Sequence, residues 1–73
     1  MSVYRVTELI GTSPTSWEDA AIEAVRRARQ TIDDIRVARV LDQDMALDDA
    51  GGITFRTKLQ VSFKIREPKS SSS

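Results

Sequence analysis

The sequence predicts an α+β fold with the chain order β-α-β-β, in which one face of a three-stranded antiparallel sheet packs against a single helix. Three observations predict this fold. Apolar and polar residues alternate near the N-terminus, and they alternate again over thirteen residues near the C-terminus, as in half-buried strands. Between these segments, apolar residues recur at the spacing of an amphipathic helix. The chain has 73 residues, which is enough for one small domain.

The first strand is predicted for residues 3–10, where apolar and polar side chains alternate. Gly11 is expected to end this strand. Residues 12–15 are expected to form a loop, because Pro14 restricts itself and the residue before it to extended or turn geometry.

The helix is predicted from Trp17 to about Thr31, with Ser16 as its N-cap. The Ser16 hydroxyl can accept from the amides of the first turn, and Asp19 stands where a capping box has its acidic residue. The stripe expected to face the sheet consists of Ala21, Val25, Ala28 and Ile32. Because this stripe is rich in alanine, the helix is expected to lie close to the sheet.

After a turn at residues 33–34, a second strand is predicted from Ile35 to about Met45, followed by a hairpin connection at residues 46–52. The third strand, at residues 53–65, shows the clearest alternation in the chain. Strands two and three are expected to pair antiparallel. One short helix cannot cover three strands of this length, so part of the sheet is expected to contact neighbouring subunits.

The composition argues against several classes of function. The chain has no cysteine and no histidine, which removes disulfides, thiolate metal sites and the commonest general base. Its 11 basic and 11 acidic residues give no overall electrostatic footprint for nucleic acid. The runs free of charge fall far short of the roughly 20 residues that a membrane span needs, and the N-terminus lacks the pattern of a signal peptide. We therefore expect a cytoplasmic, non-enzymatic protein that oligomerises because its own core is small.

Two segments resemble the dodecin family. Residues 11–21, Gly-Thr-Ser-Pro-Thr-Ser-Trp-Glu-Asp-Ala-Ala, are similar to the strand-to-helix signature of dodecins, and residues 61–65, Val-Ser-Phe-Lys-Ile, are similar to the end of their last strand. The resemblance covers residues 2–67. It implies a sheet that wraps the helix and a homododecamer that forms a hollow shell. The domain is accordingly expected to span residues 1–67, followed by a flexible tail of proline, lysine and serine at residues 68–73.

Most dodecins bind flavins, and the resemblance places the positions of their pocket at Val37, Gln43 and Arg56. Val37 replaces a tryptophan that stacks on the flavin ring, and valine has no π-face. Arg56 replaces a glutamine that hydrogen-bonds the ring edge, and arginine has donors but no acceptor. Trp17, the only tryptophan, is interpreted as a packing residue. These departures argue against flavin binding in the usual mode. A flavin or nucleotide cofactor in a remodelled pocket, with Arg56 meeting a phosphate, is the alternative.

Late in the second strand, flavin-binding members commonly carry Glu-Gln-Arg, whereas this chain has Asp42, Gln43 and Asp44. This departure resembles the actinobacterial calcium-dodecin branch and implies calcium as the ligand, with Asp42, Asp44 and Asp48 as candidate ligands. Asp42 and Asp44 are two residues apart, so they share one face of a strand. Calcium takes six to eight oxygens, so backbone carbonyls, waters, Asp48 or a symmetry-related copy would have to complete the shell.

Other interpretations of these charged residues stay open. Asp42 and Asp44 could be solvated acids near a hairpin tip, with Asp48 shaping the turn, and the oligomer could be a purely structural or adaptor shell. Arg56, Lys58 and Lys64 share the strand face that points away from the helix. They are expected to form salt bridges with acidic residues of neighbouring subunits.

Overall fold

The structure, a computed structural model, describes residues 2–65 as a three-stranded sheet with one helix. Its elements are β1 (Tyr4–Ser13), α1 (Trp17–Thr31), β2 (Ile35–Leu47) and β3 (Ile53–Lys64). The central strand is β3, which pairs antiparallel with β1 on one side and β2 on the other. The predicted element order and antiparallel sheet are confirmed, whereas the predicted tail at residues 68–73 lies outside the described residues. No helix within residues 2–65 combines the length and apolar character that a membrane span requires.

The prediction that Gly11 ends the first strand was wrong, because β1 continues to Ser13. Gly11 pairs with Thr57 of β3 and is buried beneath α1. A Cβ atom at this position would overlap the backbone oxygen of Ala20 and would lie 2.9 Å from the Cβ of Ala24. Gly11 therefore lets the helix approach the strand, and its role is packing rather than termination.

The connection between β1 and α1 is short and internally hydrogen-bonded. The Ser16 hydroxyl caps the helix by accepting from the backbone amide of Asp19 at 3.0 Å, as predicted. The carboxylate of Asp19 does not complete a capping box with Ser16; it accepts instead from the Thr15 hydroxyl at 2.7 Å. The Ser13 hydroxyl, at the end of β1, accepts from the backbone amide of Thr15 at 3.0 Å. These bonds hold the chain in the tight path that takes it from the sheet into the helix.

The buried stripe of α1 is displaced from the predicted stripe toward the neighbouring helix positions. The buried helix residues are Ala20, Ala24 and Ala28, and they pack with the buried β3 residues Thr57, Leu59 and Val61. Of the predicted stripe only Ala28 is buried, whereas Ala21, Val25 and Ile32 are half-buried. The physical reason is distance: the smallest side chains occupy the line of closest approach, and the larger ones are displaced to its flank.

The hairpin of β2 and β3 extends beyond the cover that the helix provides. Every β2 residue after Ile35 is exposed, including Val40, Met45 and Leu47. The radius of gyration is 15.8 Å, whereas a compact domain of this length has a value of about 11 Å. The single chain therefore leaves a long apolar strand without a packing partner, as the sequence predicts.

We expect Gly11→Ala to lower the free energy of unfolding by about 1–3 kcal/mol, because the added methyl group must push α1 away from β1. Urea unfolding followed by circular dichroism, at a fixed protein concentration, measures this change. Thr12→Ala, at the exposed neighbouring position, is the control and should stay within about 0.5 kcal/mol of the wild type. A Gly11→Ala variant as stable as the wild type would contradict the close approach of helix and strand.

Candidate functional site

The face of the sheet turned away from α1, here called the open face, carries a group of charged side chains. The charged residues near the middle of the sheet are Glu8, Asp42, Asp44, Arg56 and Lys58, and the apolar Ile10 lies among them. These residues come from all three strands. Asp42 and Asp44 of β2 lie opposite Lys58 and Arg56 of β3, respectively. On the other side of β3, Ile10 of β1 lies opposite Lys58. A cavity of about 190 Å³ is lined by Ile10, Asp42, Asp44, Arg56 and Lys58.

A β-bulge at Leu41 places the two aspartates on this face. Val40 pairs with Leu59, but Asp42 pairs with Lys58, so two steps along β2 match one step along β3. Leu59 is buried on the helix side, whereas Lys58 points the other way. The extra residue therefore transfers Asp42 and Asp44 from the face of Val40 to the open face. The prediction that these two aspartates share one face agrees with this register.

Asp44 and Arg56 form a bidentate ion pair across the two strands. The Arg56 Nε donates to Asp44 Oδ1 at 2.7 Å, and its Nη2 donates to Asp44 Oδ2 at 2.8 Å. On the other side of β3, the Lys58 Nζ lies 3.4 Å from Glu8 Oε1. We expected these cations to pair with neighbouring subunits, but both pairs form within one chain, because the register puts Arg56 directly opposite Asp44.

This ion pair orients its two side chains more than it stabilises the fold. The hydrogen bonds from Arg56, together with its positive charge, lower the pKa of Asp44 below its ordinary value, and the same contacts raise the pKa of Arg56. The side chains are 42% exposed for Arg56 and 51% exposed for Asp44, so water screens their attraction and little stability results. The Asp44 carboxylate is thus ionised, oriented and accessible to solvent.

Trp17 ties the start of α1 to this part of the sheet. Its Nε1 donates to the backbone oxygen of Asp44 at 2.9 Å, and its ring meets Phe55 edge-on at a centroid distance of 5.0 Å. The Thr57 hydroxyl donates to the backbone oxygen of Trp17 at 2.9 Å. The interpretation of Trp17 as a packing residue missed this role, because the contact depends on the pairing of strands distant in sequence. Trp17 fixes the backbone of β2 where Asp44 projects.

Asp48 lies in the β2–β3 turn, apart from the other two candidate metal ligands. Its Oδ1 accepts from the backbone amides of Ala50 at 2.9 Å and Gly52 at 2.8 Å. Since β2 continues to Leu47, two residues beyond the predicted end, the connection is shorter than expected. Asp48 is four residues beyond Asp44, a distance of about 13 Å in extended chain. One chain therefore brings together Asp42 and Asp44 and leaves Asp48 at the tip of the hairpin.

A single chain does not gather the three positions equivalent to the family flavin pocket. Val37 lies opposite Ser62, and Arg56 is six residues from Ser62 along β3, which separates Val37 and Arg56 by about 20 Å. Gln43 lies opposite the buried Thr57, on the helix side of the sheet. Val37 is exposed and offers only its aliphatic surface.

The aspartate pair does not by itself make a complete metal site. Within residues 2–65, no cluster of three or more acidic, histidine or cysteine side chains has an arrangement that could hold a metal ion. Two carboxylates supply at most four of the six to eight oxygens that calcium takes. Any calcium bound here would need further oxygens from the backbone, from water or from another copy of the chain.

Comparisons with known proteins give one consistent result. Residues 3–66 match the family model described as Dodecin. The chain is 71% identical over 66 residues to calcium dodecin from Mycobacterium tuberculosis, covering 90% of this chain and 93% of that protein. A crystal structure of calcium dodecin from M. tuberculosis, described as calcium-chelating with a novel calcium-binding site, aligns with a TM-score of 0.84 at 68% identity, over 92% of this chain and 99% of that chain. Dodecin from Streptomyces davaonensis aligns with a TM-score of 0.83 at 29% identity, over 90% of this chain and 97% of that chain.

We expect Trp17→Phe to lower the free energy of unfolding by about 1 kcal/mol, because phenylalanine keeps the ring contact with Phe55 but cannot donate to the Asp44 carbonyl. Urea unfolding followed by circular dichroism measures the change. Tyr4→Phe also removes a polar group from an aromatic ring, at an exposed position, and should shift stability by no more than about 0.5 kcal/mol. Equal stability of Trp17→Phe and the wild type would show that the hydrogen bond does not anchor β2.

Proposed function

Because this chain belongs to the dodecin family, we propose that it forms a homododecameric shell that binds calcium ions, with Asp42 and Asp44 as carboxylate ligands. One observation carries the proposal: the two aspartates lie side by side on the open face of a chain that is 71% identical to a protein named calcium dodecin. Carboxylate oxygens are the ligands that calcium prefers. Binding and storage of the ion, without catalysis, is the role that we assign to the shell.

The coordination shell must be completed from outside the aspartate pair. Waters can enter freely because both carboxylates are exposed, and a second copy of the chain can bring further oxygens to the open face. Asp48 stays a candidate ligand, and its second carboxylate oxygen could reach an ion near the hairpin tip of an assembled shell. The assembly and the ion site are thus linked in this proposal, because one chain does not supply enough oxygens.

Flavin storage is the less supported alternative. Val37 provides no ring for stacking, and two of the three Arg56 nitrogens, Nε and Nη2, already donate to Asp44. An acidic residue at position 44 would also repel a phosphate group. The cytoplasmic location of the protein stays a prediction from the sequence.

Calcium titration by calorimetry tests the ligand assignment. We expect saturable heat from the wild type, and a loss of at least about tenfold in affinity for Asp42→Asn and for Asp44→Asn, because each change removes one negative charge from the shell. Asp48→Asn separates two roles: asparagine keeps the oxygen that accepts the amides of Ala50 and Gly52 but loses the charge. Weaker calcium binding by Asp48→Asn would make Asp48 a ligand as well.

The matched control for these titrations is Asp49→Asn, which removes the same charge from an exposed position in the hairpin turn. It should bind calcium as the wild type does. If Asp42→Asn and Asp44→Asn also match the wild type, the ion is held elsewhere and the assignment is wrong. If the wild type takes up no calcium, the proposed function itself fails.

Light scattering tests the assembly. We expect a particle mass near twelve times the 8.2 kDa of one chain. Val40→Glu should give smaller particles, because a charge at this exposed apolar position of β2 would have to be buried against a neighbour. Ala50→Glu, in the exposed turn, is the control and should leave the mass unchanged. A stable monomer at micromolar concentration would reject the shell.

A further inference from the structure

We propose that Arg56 is a built-in competitor of calcium: its guanidinium occupies the Asp44 carboxylate in the ion-free protein, and calcium binds Asp44 by displacing it. This inference rests on the proposed calcium function and names how that site is regulated. It makes Arg56, which donates to the candidate ligand but cannot itself bind a cation, the residue that sets the calcium affinity.

The geometry of the ion pair leads to this inference. Arg56 donates one hydrogen bond to each carboxylate oxygen of Asp44, at 2.7 Å and 2.8 Å. This fork occupies the region that a metal ion needs for bidentate contact, and a cation at about 2.4 Å from the same oxygens would lie against the guanidinium. Both cations cannot occupy the carboxylate in this way, so binding of one releases the other.

The surroundings allow Arg56 to leave. Its side chain is 42% exposed, and it borders a small cavity that Asp42 and Lys58 also line. An arginine side chain with solvent on one side can rotate away without leaving a buried charge unpaired. Lys58 does not compete for the aspartates in this way, because its Nζ pairs with Glu8 at 3.4 Å.

The local charge balance adds to the competition. Arg56 offsets the charge of Asp44, whereas Lys58, which also lines the cavity, pairs with Glu8. Arg56 therefore reduces the net negative charge that a divalent cation meets at the aspartate pair. Replacing Arg56 with a neutral residue frees the Asp44 carboxylate and also leaves a larger net negative charge beside it. Both effects raise calcium affinity, whereas loss of an orienting partner for Asp44 would lower it. The sign of the change separates a competitor from a positioning residue.

Calcium titration of Arg56→Gln and Arg56→Lys, at one ionic strength, tests the proposal. We expect Arg56→Gln to bind calcium roughly three- to tenfold more tightly than the wild type. Arg56→Lys should lie between the two, because lysine keeps the charge but cannot form the fork. Lys64→Gln removes the same charge from the same face of β3, eight residues away from Arg56, and should bind as the wild type does.

A double-mutant cycle shows whether the effect acts through Asp44. In an Asp44→Asn background, Arg56→Gln should change calcium affinity by less than about twofold. Nuclear magnetic resonance gives a direct readout in the wild type: the Arg56 Nε–H should exchange slowly with water in the ion-free protein and faster when calcium saturates the site. Both results support displacement.

The outcomes distinguish this inference from the proposed function. Wild-type calcium binding that Asp44→Asn weakens, combined with unchanged or weaker binding by Arg56→Gln, overturns the competition and leaves the calcium site intact. Unchanged Arg56 Nε–H exchange on saturation also overturns it. No calcium uptake by the wild type overturns both. If Arg56→Gln does not assemble, the Arg56→Lys titration and the exchange measurement decide.

Discussion

The architecture depends on the close approach of one short helix to the sheet at Gly11. The helix uses its smallest residues, Ala20, Ala24 and Ala28, for this contact, so it comes very near to β1 and β3 but covers little area. β2 consequently lies beyond its reach, and nearly all of this strand is exposed. The chain therefore has a well-packed centre, whereas β2 exposes apolar side chains such as Val40 and Leu47. Its incompleteness as a monomer follows from the geometry of the helix contact, and this gives the proposed assembly into a shell a physical reason.

The chemistry of the open face depends on one inserted residue. Without the bulge at Leu41, Asp42 and Asp44 would continue on the side of Val40, which is the helix side of the sheet, and would point away from Lys58 and Arg56. The bulge puts them opposite Lys58 and Arg56 instead. Trp17 then holds the β2 backbone at Asp44 through its indole N–H. The same helix start that packs the core therefore also fixes the strand segment that carries the candidate ligands.

Local periodicity was enough to predict the element order, the helix bounds and the shared face of Asp42 and Asp44, because each depends on residues close in sequence. The features that could not be predicted depend on tertiary contacts. The helix carries two adjacent stripes at similar spacing, and the larger residues of the predicted stripe are more hydrophobic. The alanine stripe is buried because only it permits the approach at Gly11. In the same way, the pairing of Arg56 with Asp44 depends on a strand register that a bulge shifts, and no local pattern marks that bulge.

The pairing of Arg56 with Asp44 also gives a physical account of two departures from the flavin-binding pattern that the family resemblance implies. That pattern has a basic residue at position 44 and a glutamine at position 56, whereas this chain has an acid and an arginine there. The two positions are directly opposite each other in the sheet. Relative to the flavin-binding pattern, this chain therefore carries the positive charge on β3 instead of β2, and it has a carboxylate on β2 opposite that charge. Asp44 without Arg56 would leave two neighbouring acids on the open face with no arginine to offset their charge. Arg56 pairs with Asp44 through two hydrogen bonds, and this makes the aspartate pair compatible with a stable sheet.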